Sequence, residues 1–274
     1  EQFRIDVRGS IGITQALAAP ESPYELMRRA DIALYVAKDS GRDGFKVYEA
    51  AMSSRMEHRL STVSDLAGAM ERGELEVVYQ CIVDLETMKI AGCEALLRWH
   101  HPRYGLIPPA EFIPAAEESG LIVPIGLWVL QQACRDALQW PGDITLAVNV
   151  SAVQIGSPSI VESILEAVRD TGMPPARVEL EITESAISRD DQAARGVLQR
   201  LRGHGFQLAI DDFGTGYSSM AQLRELPFDT LKLDRSFVTG LGGERSSASN
   251  AIISSLLHLS RSMGMSVIAE GVET

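Results

Sequence analysis

Apolar positions in this chain arrive as short, regularly spaced runs. Strand-like runs lie at Leu75–Val83, Ile90–Trp99, Ile144–Val150, Val178–Thr183, Leu208–Asp211, Leu231–Asp234 and Ser266–Glu270. Most are separated by segments of helical period such as Gly126–Trp140, Ser159–Thr171 and Ser249–Met263. Strand–helix alternation of this kind predicts parallel β/α units. About seven strands are counted where a closed β/α barrel needs eight, so the expectation is a TIM-like barrel whose last strand is missing from this chain. An open doubly wound sheet is the alternative. Ahead of the alternation, residues 1–50 predict a strand, a helix at Tyr24–Asp39 and a "DSGRDGF" turn. Residues 51–73 are polar with helical spacing and almost no Gly or Pro, which predicts a connecting helix rather than a floppy linker. "FRIDVRGSIGIT" reads as a strand without its sheet partners, Glu1 is not a start methionine, and "VIAEGVET" stops just past a buried strand. The chain is therefore expected to be a piece of a longer protein.

Alternate residues of a strand face opposite sides, so parity sorts the polar positions. In "VELEITE", Val178, Leu180 and Ile182 share one face while Glu179, Glu181 and Thr183 share the other. Glu94 points with Leu96 and Arg98, Asn149 with Ala147, and Lys232 with Asp234. If the aliphatics pack outward under helices, the polar set converges at the strand ends, where β/α barrels carry their active sites. Glu94, Asn149, Glu181, Asp211, Asp212 and Glu270 then supply five carboxylates and one amide oxygen. Hard oxygen ligands suit Mg²⁺, Mn²⁺ or Ca²⁺ rather than zinc. Two ions sharing Asp211 match the usual two-metal geometry for phosphate esters. Such ions also resolve the awkward Asp211–Asp212 pair, whose adjacent charges repel beside an apolar run. Gly214 and Gly216 are expected to let the backbone turn so that Asp212 reaches the side Asp211 faces. Any one strand-end acid, or the "GTG" turn alone, is more simply a solvated rim residue or a turn; the joint pattern carries the metal reading. His100-His101-Pro102 is read as structural, because neighbouring histidines diverge, and Cys93 as packed core.

The net charge of −12 excludes a general nucleic-acid or anionic-membrane surface, which needs a basic excess. Cys81, Cys93 and Cys134 show no CxxC spacing and read as reduced thiols in a cytoplasmic setting. The longest apolar run, near Leu121–Leu130, is too short to span a bilayer, which leaves open an anchor elsewhere in a parent protein.

"YQCIVDLETMKIAGCEALLRW", "EFIPAAEESGLI", "LAVNVSAVQ", "LEITES", "DDFGTGYSS", "LKLDRSFV" and "VIAEGVET" together resemble the EAL family of cyclic di-GMP phosphodiesterases, over about residues 74–274. "SIGIT" and "LMRRADIALYVAKDSGRDGF" resemble the C-terminal part of a GGDEF diguanylate cyclase domain without its signature loop. The resemblance implies a tandem GGDEF–EAL parent and hydrolysis of cyclic di-GMP to linear pGpG with Mg²⁺ or Mn²⁺, Ca²⁺ being inhibitory. It implies a homodimer, upstream sensory domains, and a role in bacterial signalling and biofilm control. By motif, Glu94, Asn149, Glu181, Asp211, Asp212 and Glu270 match metal ligands, Glu94 and Glu270 also being catalytic. Lys232 matches the lysine that orients the attacking water. Gln80, Arg98, Asp234 and Glu273 match substrate contacts, and Glu184 the anchor of the loop after Asp212. In the first stretch, Lys38 and Arg42 match phosphate contacts of the cyclase family. Cys81 departs from the family, which usually has Pro there. The alternatives are a catalytically inactive cyclic di-GMP receptor and an unrelated divalent-metal barrel.

Overall fold

The computed structural model describes residues 8–16, 22–40, 43–187, 192–214, 226–239 and 246–272. The chain divides into two compact units, residues 1–68 and 69–274. In the first, β1 (Ile11–Ile13) pairs in parallel with β2 (Phe45–Val47), and helix α1 (Pro23–Asp39) runs between them in sequence. The strand expected to have no sheet partner thus has one within the chain, although residues 1–7 of that stretch lie outside the described residues. Helix α1 starts where Ser22 Oγ accepts the Glu25 N–H at 3.2 Å and Pro23 presets the first turn. Gly12 permits close approach of β1 to α1, since an added Cβ would sit 2.1 Å from the Ala30 carbonyl oxygen. Helix α2 (Ala50–Ala67) completes this unit.

The second unit is built on a curled mixed sheet flanked by helices, an α/β barrel-like arrangement. Its strands are β3 (Leu75–Asp84), β4 (Lys89–His101), β5 (Gly105–Ile107), β6 (Thr145–Asn149), β7 (Val178–Thr183), β8 (Gln207–Phe213), β9 (Thr230–Leu233) and β10 (Ser266–Ala269). The order is β10-β9-β8-β7-β6-β4-β3, with β5 on β4. Pairings from β4 through β10 are parallel, but β3 and β5 run antiparallel to β4. The expectation of parallel β/α units is corrected for β3. Only residues 85–88 separate β3 from β4, too few for a parallel crossover. That turn is held by Asp84 Oδ1, which accepts from Thr87 N and Oγ1 at 2.7 Å, and it places Met88 at φ 56.

Between the parallel strands lie α3 (Pro109–Ser119), α4 (Ile122–Ala137), the short α5 (Ala152–Ile155), α6 (Ile160–Thr171), α7 (Gln192–Gly203), α8 (Arg235–Thr239) and α9 (Ser246–Met263). Leu146, Val148, Leu180, Ile182, Leu208, Ile210, Leu231 and Leu233 are all buried. So are Ile125, Val129, Ile160, Ile164, Leu198 and Leu201 on the covering helices. Burying each such side chain contributes about 1.5–3 kcal/mol before conformational entropy is set against it. The opposite strand face buries Glu179, Glu181, Thr230 and Lys232 instead. No helix among the described residues is long and apolar enough to cross a membrane.

Candidate metal and catalytic site

Lys232, on β9, is only 1% exposed, and its Nζ is surrounded by acids from four strands or strand ends. Glu181 Oε2 lies at 2.7 Å, Glu270 Oε1 at 2.9 Å, Glu94 Oε2 at 3.2 Å and Asp211 Oδ1 at 3.4 Å. Parallel register produces this convergence, with Asn149 opposite Glu181 and Thr183 opposite Asp211 across the ladders. Asn149 Nδ2 donates to Glu94 Oε1 at 2.7 Å, which orients the Glu94 carboxylate. Asp211, Asp212 and Glu270 each place one carboxylate oxygen within 4.8 Å of the others, a group able to hold a metal ion. Lys232 and Glu181 form the buried floor, while Asp212 and Asn149 are exposed at the mouth.

The charge balance favours added cations. Five acids (Glu94, Glu181, Asp211, Asp212, Glu270) face a single lysine. Burial is the main reason the Glu181 carboxyl is pushed up to about 9; Lys232 opposes the shift, and Glu94 and Asp211 reinforce it. Burial alone would lower the Lys232 pKa, but Glu181, Asp211 and Glu94 outweigh it and hold the ammonium charged. Asp212 and Glu270 are raised by burial, with Asp211 adding repulsion to each. Glu181 Oε1 is buried and has no hydrogen-bond partner among the described residues. A buried acceptor without a donor is costly, and a bound divalent cation would satisfy it. With only oxygen donors at hand, the site fits hard cations such as Mg²⁺ or Mn²⁺.

The backbone after β8 is bent to suit. Asp212 itself takes φ 53, a left-handed conformation that Asp tolerates better than most residues, and its N–H donates to Asp211 Oδ1 at 2.9 Å. The turn expected of the glycines thus begins at Asp212. Gly214 follows at φ 97, where a Cβ would lie 2.4 Å from Phe237 Cζ, and Gly216 lies outside the described residues. Glu184 is 5% exposed and its Oε2 accepts the Gly214 N–H at 2.8 Å, tying the end of β7 to this loop. Glu184→Ala is expected to weaken apparent Mg²⁺ affinity by about 10–100-fold with the fold retained, as for other residues that support metal ligands. Superimposable wild-type and variant metal titrations would refute that role.

Gln80 is exposed on β3 directly opposite Glu94, and Glu76 lies opposite Arg98. Arg98 is half-buried and its Nη1 donates to the Leu97 carbonyl. The Ser236 side chain first, and then the Ser236 N–H at 2.9 Å from Oδ1, hold the Asp234 carboxyl below the usual range by hydrogen bonding. Glu273 lies outside the described residues, as does Arg42 in the first unit. Lys38 lines a cavity of about 500 Å³ along α1 in that first unit, with Tyr24, Met27, Asp31 and Tyr35. His100 pairs with Glu76 of β3 at 2.7 Å, and His101 Nδ1 accepts the Arg103 and Tyr104 N–H groups at the β4–β5 corner.

One layer of the site was not singled out from sequence. Beneath Glu181 and Lys232, buried Glu179 accepts from Thr230 Oγ1 at 2.5 Å, and burial raises its pKa. Parity already placed Glu179 on the Glu181 face, but nothing local in the sequence paired it with Thr230.

The model of the EAL domain family matches residues 63–274. The chain is 41% identical to the bifunctional diguanylate cyclase/cyclic di-GMP phosphodiesterase MucR of Pseudomonas aeruginosa, over all of this chain and 40% of that protein. It is 35% identical to the cyclic di-GMP phosphodiesterase PdeR of Escherichia coli, over 97% of this chain and again 40% of the relative. The chain thus spans about two fifths of the length of these relatives. The solved PaMucR phosphodiesterase in complex with c-di-GMP superposes with a TM-score of 0.74 at 42% identity, covering 78% of this chain and 87% of that one. From residue 63 onward, matched in sequence and in fold, this chain is a member of the EAL domain family.

Proposed function

We propose that this chain hydrolyses cyclic di-GMP to linear pGpG, using divalent ions held by Glu94, Asn149, Glu181, Asp211, Asp212 and Glu270. The observation that carries this reading is the single buried lysine within 3.4 Å of four strand-end carboxylates, beside the Asp211–Asp212–Glu270 group. When bound, Mg²⁺ or Mn²⁺ supplies charge neutralisation of the phosphodiester and lowers the pKa of a water. Lys232 donates a hydrogen bond that holds the attacking water in line, and Glu270 accepts its proton. Gln80, Arg98, Asp234 and Glu273 hold the dinucleotide, Arg98 by its fork of donors on a phosphate oxygen. Glu184 keeps Asp212 and Gly214 in place. The homologues' c-di-GMP chemistry and the intact set of acids both support this assignment.

We further read residues 1–50 as the C-terminal part of a GGDEF domain, with Lys38 and Arg42 as remnants of its phosphate site. Residues 51–73 are then the connecting helix, and 74–274 a phosphodiesterase domain that functions as a homodimer in a longer, cytoplasmic signalling protein. The test of the main reading is product analysis on the domain with its natural C-terminal continuation. Mg²⁺ or Mn²⁺ should yield pGpG, chelation should abolish it, and Ca²⁺ should allow binding without turnover, because its looser shell misplaces the water. Binding of cyclic di-GMP with no pGpG in either metal would make the protein a receptor and remove the catalytic roles together.

A further inference from the structure

Cys81 and Cys93 are directly opposite each other on the antiparallel β3–β4 ladder. Their sulfurs are 3.9 Å apart, with the Cys93 thiol donating to Cys81 Sγ. Directly opposed residues of an antiparallel pair have Cα atoms about 4.5–5.5 Å apart, inside the window that a disulfide requires. Bringing the sulfurs to bonding distance therefore needs side-chain rotation and no new strand register. The two thiols differ in access. Cys81 is exposed, Cys93 is buried at 7%, and the third cysteine, Cys134, is fully buried on α4.

We infer that Cys81 and Cys93 form a dithiol, reactive toward hydrogen peroxide, that closes to an intramolecular disulfide across β3–β4. The Cys81 thiolate attacks the peroxide O–O bond, so an S–O bond forms and, after protonation, one water leaves. The Cys93 sulfur then attacks the Cys81 sulfenic sulfur: the S–S bond forms, the S–O bond breaks, and a second water carries away the thiol proton. Two electrons pass from the thiol pair to the peroxide, which is reduced to two waters. The exposed Cys81 is the first point of attack, and the buried Cys93 is the resolving thiol. The adjacent rung is Gln80 opposite Glu94, whose side chains point to the other face of the sheet.

The test is intact-mass analysis and peptide mapping of the whole chain after limiting hydrogen peroxide, with alkylation of remaining thiols. Wild type should lose two hydrogens, yield a Cys81–Cys93 linked peptide pair, and regain both thiols with dithiothreitol. Cys93→Ala should accumulate a sulfenate at Cys81 that dimedone traps, Cys81→Ala should form no intramolecular link, and Cys134→Ala should behave as wild type. Wild-type mapping needs no substitution, so it decides even if a variant fails to fold. Dimedone labelling at Cys93, a Cys81-linked dimer, or Cys81 driven to sulfinic acid beside a reduced Cys93 would each overturn the inference.

Discussion

Lys232→Ala is expected to lower the melting temperature of the metal-free protein by roughly 5–15 °C and to abolish turnover in saturating Mg²⁺. The physical cause of the first effect is that Nζ is the cation shared by Glu181, Glu270, Glu94 and Asp211, all within 3.4 Å. Removing one partner from a buried ionic group leaves uncompensated charge, typically a loss of about 3–5 kcal/mol. In a domain of this size each kcal/mol shifts the midpoint by about 2–4 °C. Added Mg²⁺ should recover part of the stability, since divalent charge replaces the ammonium, but should not restore the rate. Substrate binding should survive, because the lysine acts on the water and not on the nucleotide. An unchanged metal-free melting curve would show that Lys232 is not the counter-charge of this cluster.

Asp211→Asn should act in the opposite direction on stability and just as severely on rate. Asp211 shares the site with Lys232 on one side and with Asp212 and Glu270 on the other. Replacing its charge by an amide relieves carboxylate repulsion, so the metal-free melting temperature should hold or rise slightly. Turnover should fall by about 10³-fold or more, a loss of about 4 kcal/mol of transition-state stabilisation, because the carboxylate placed to serve two ions is gone. Retention of more than about a tenth of the wild-type rate, only about 1.4 kcal/mol, would remove Asp211 from that role. The paired result, destabilised Lys232→Ala beside stable Asp211→Asn, distinguishes a charge-balanced metal site from a generic buried salt bridge.

Much of this architecture was legible one strand at a time. β7 spans Val178–Thr183 as its alternating pattern predicts, and β10 differs from the expected run only by ending at Ala269. Helix α6 begins at Ile160, one residue after the expected Ser159, and ends at Thr171 as expected. Local reading works there because side-chain parity is a property of the strand's own backbone. The same parity separated Glu94, Asn149, Glu181 and Lys232 from the aliphatic face of their own strands, and outward packing of the aliphatics predicted that they converge. The EAL motifs, spread over most of the second unit, then named the family that the comparison supports.

What stayed hidden depends on which strands become neighbours and in which direction. Strand-like runs look the same whether they pair parallel or antiparallel, so the reversal of β3 followed only from the short Asp84-anchored turn and its ladder to β4. The pairing of Cys81 with Cys93 comes from that same ladder, and twelve residues of sequence separation gave no hint of it. Glu179 and Thr230 meet through a separation of 51 residues. Asp212 entered the left-handed region through its own φ rather than through the glycines that follow. Above all, composition disclosed an excess of acid, but only folding showed that four of those carboxylates converge on one buried ammonium. Parity and period are short-range consequences of backbone geometry, whereas register and charge compensation arise only when distant strands are brought within a few ångströms.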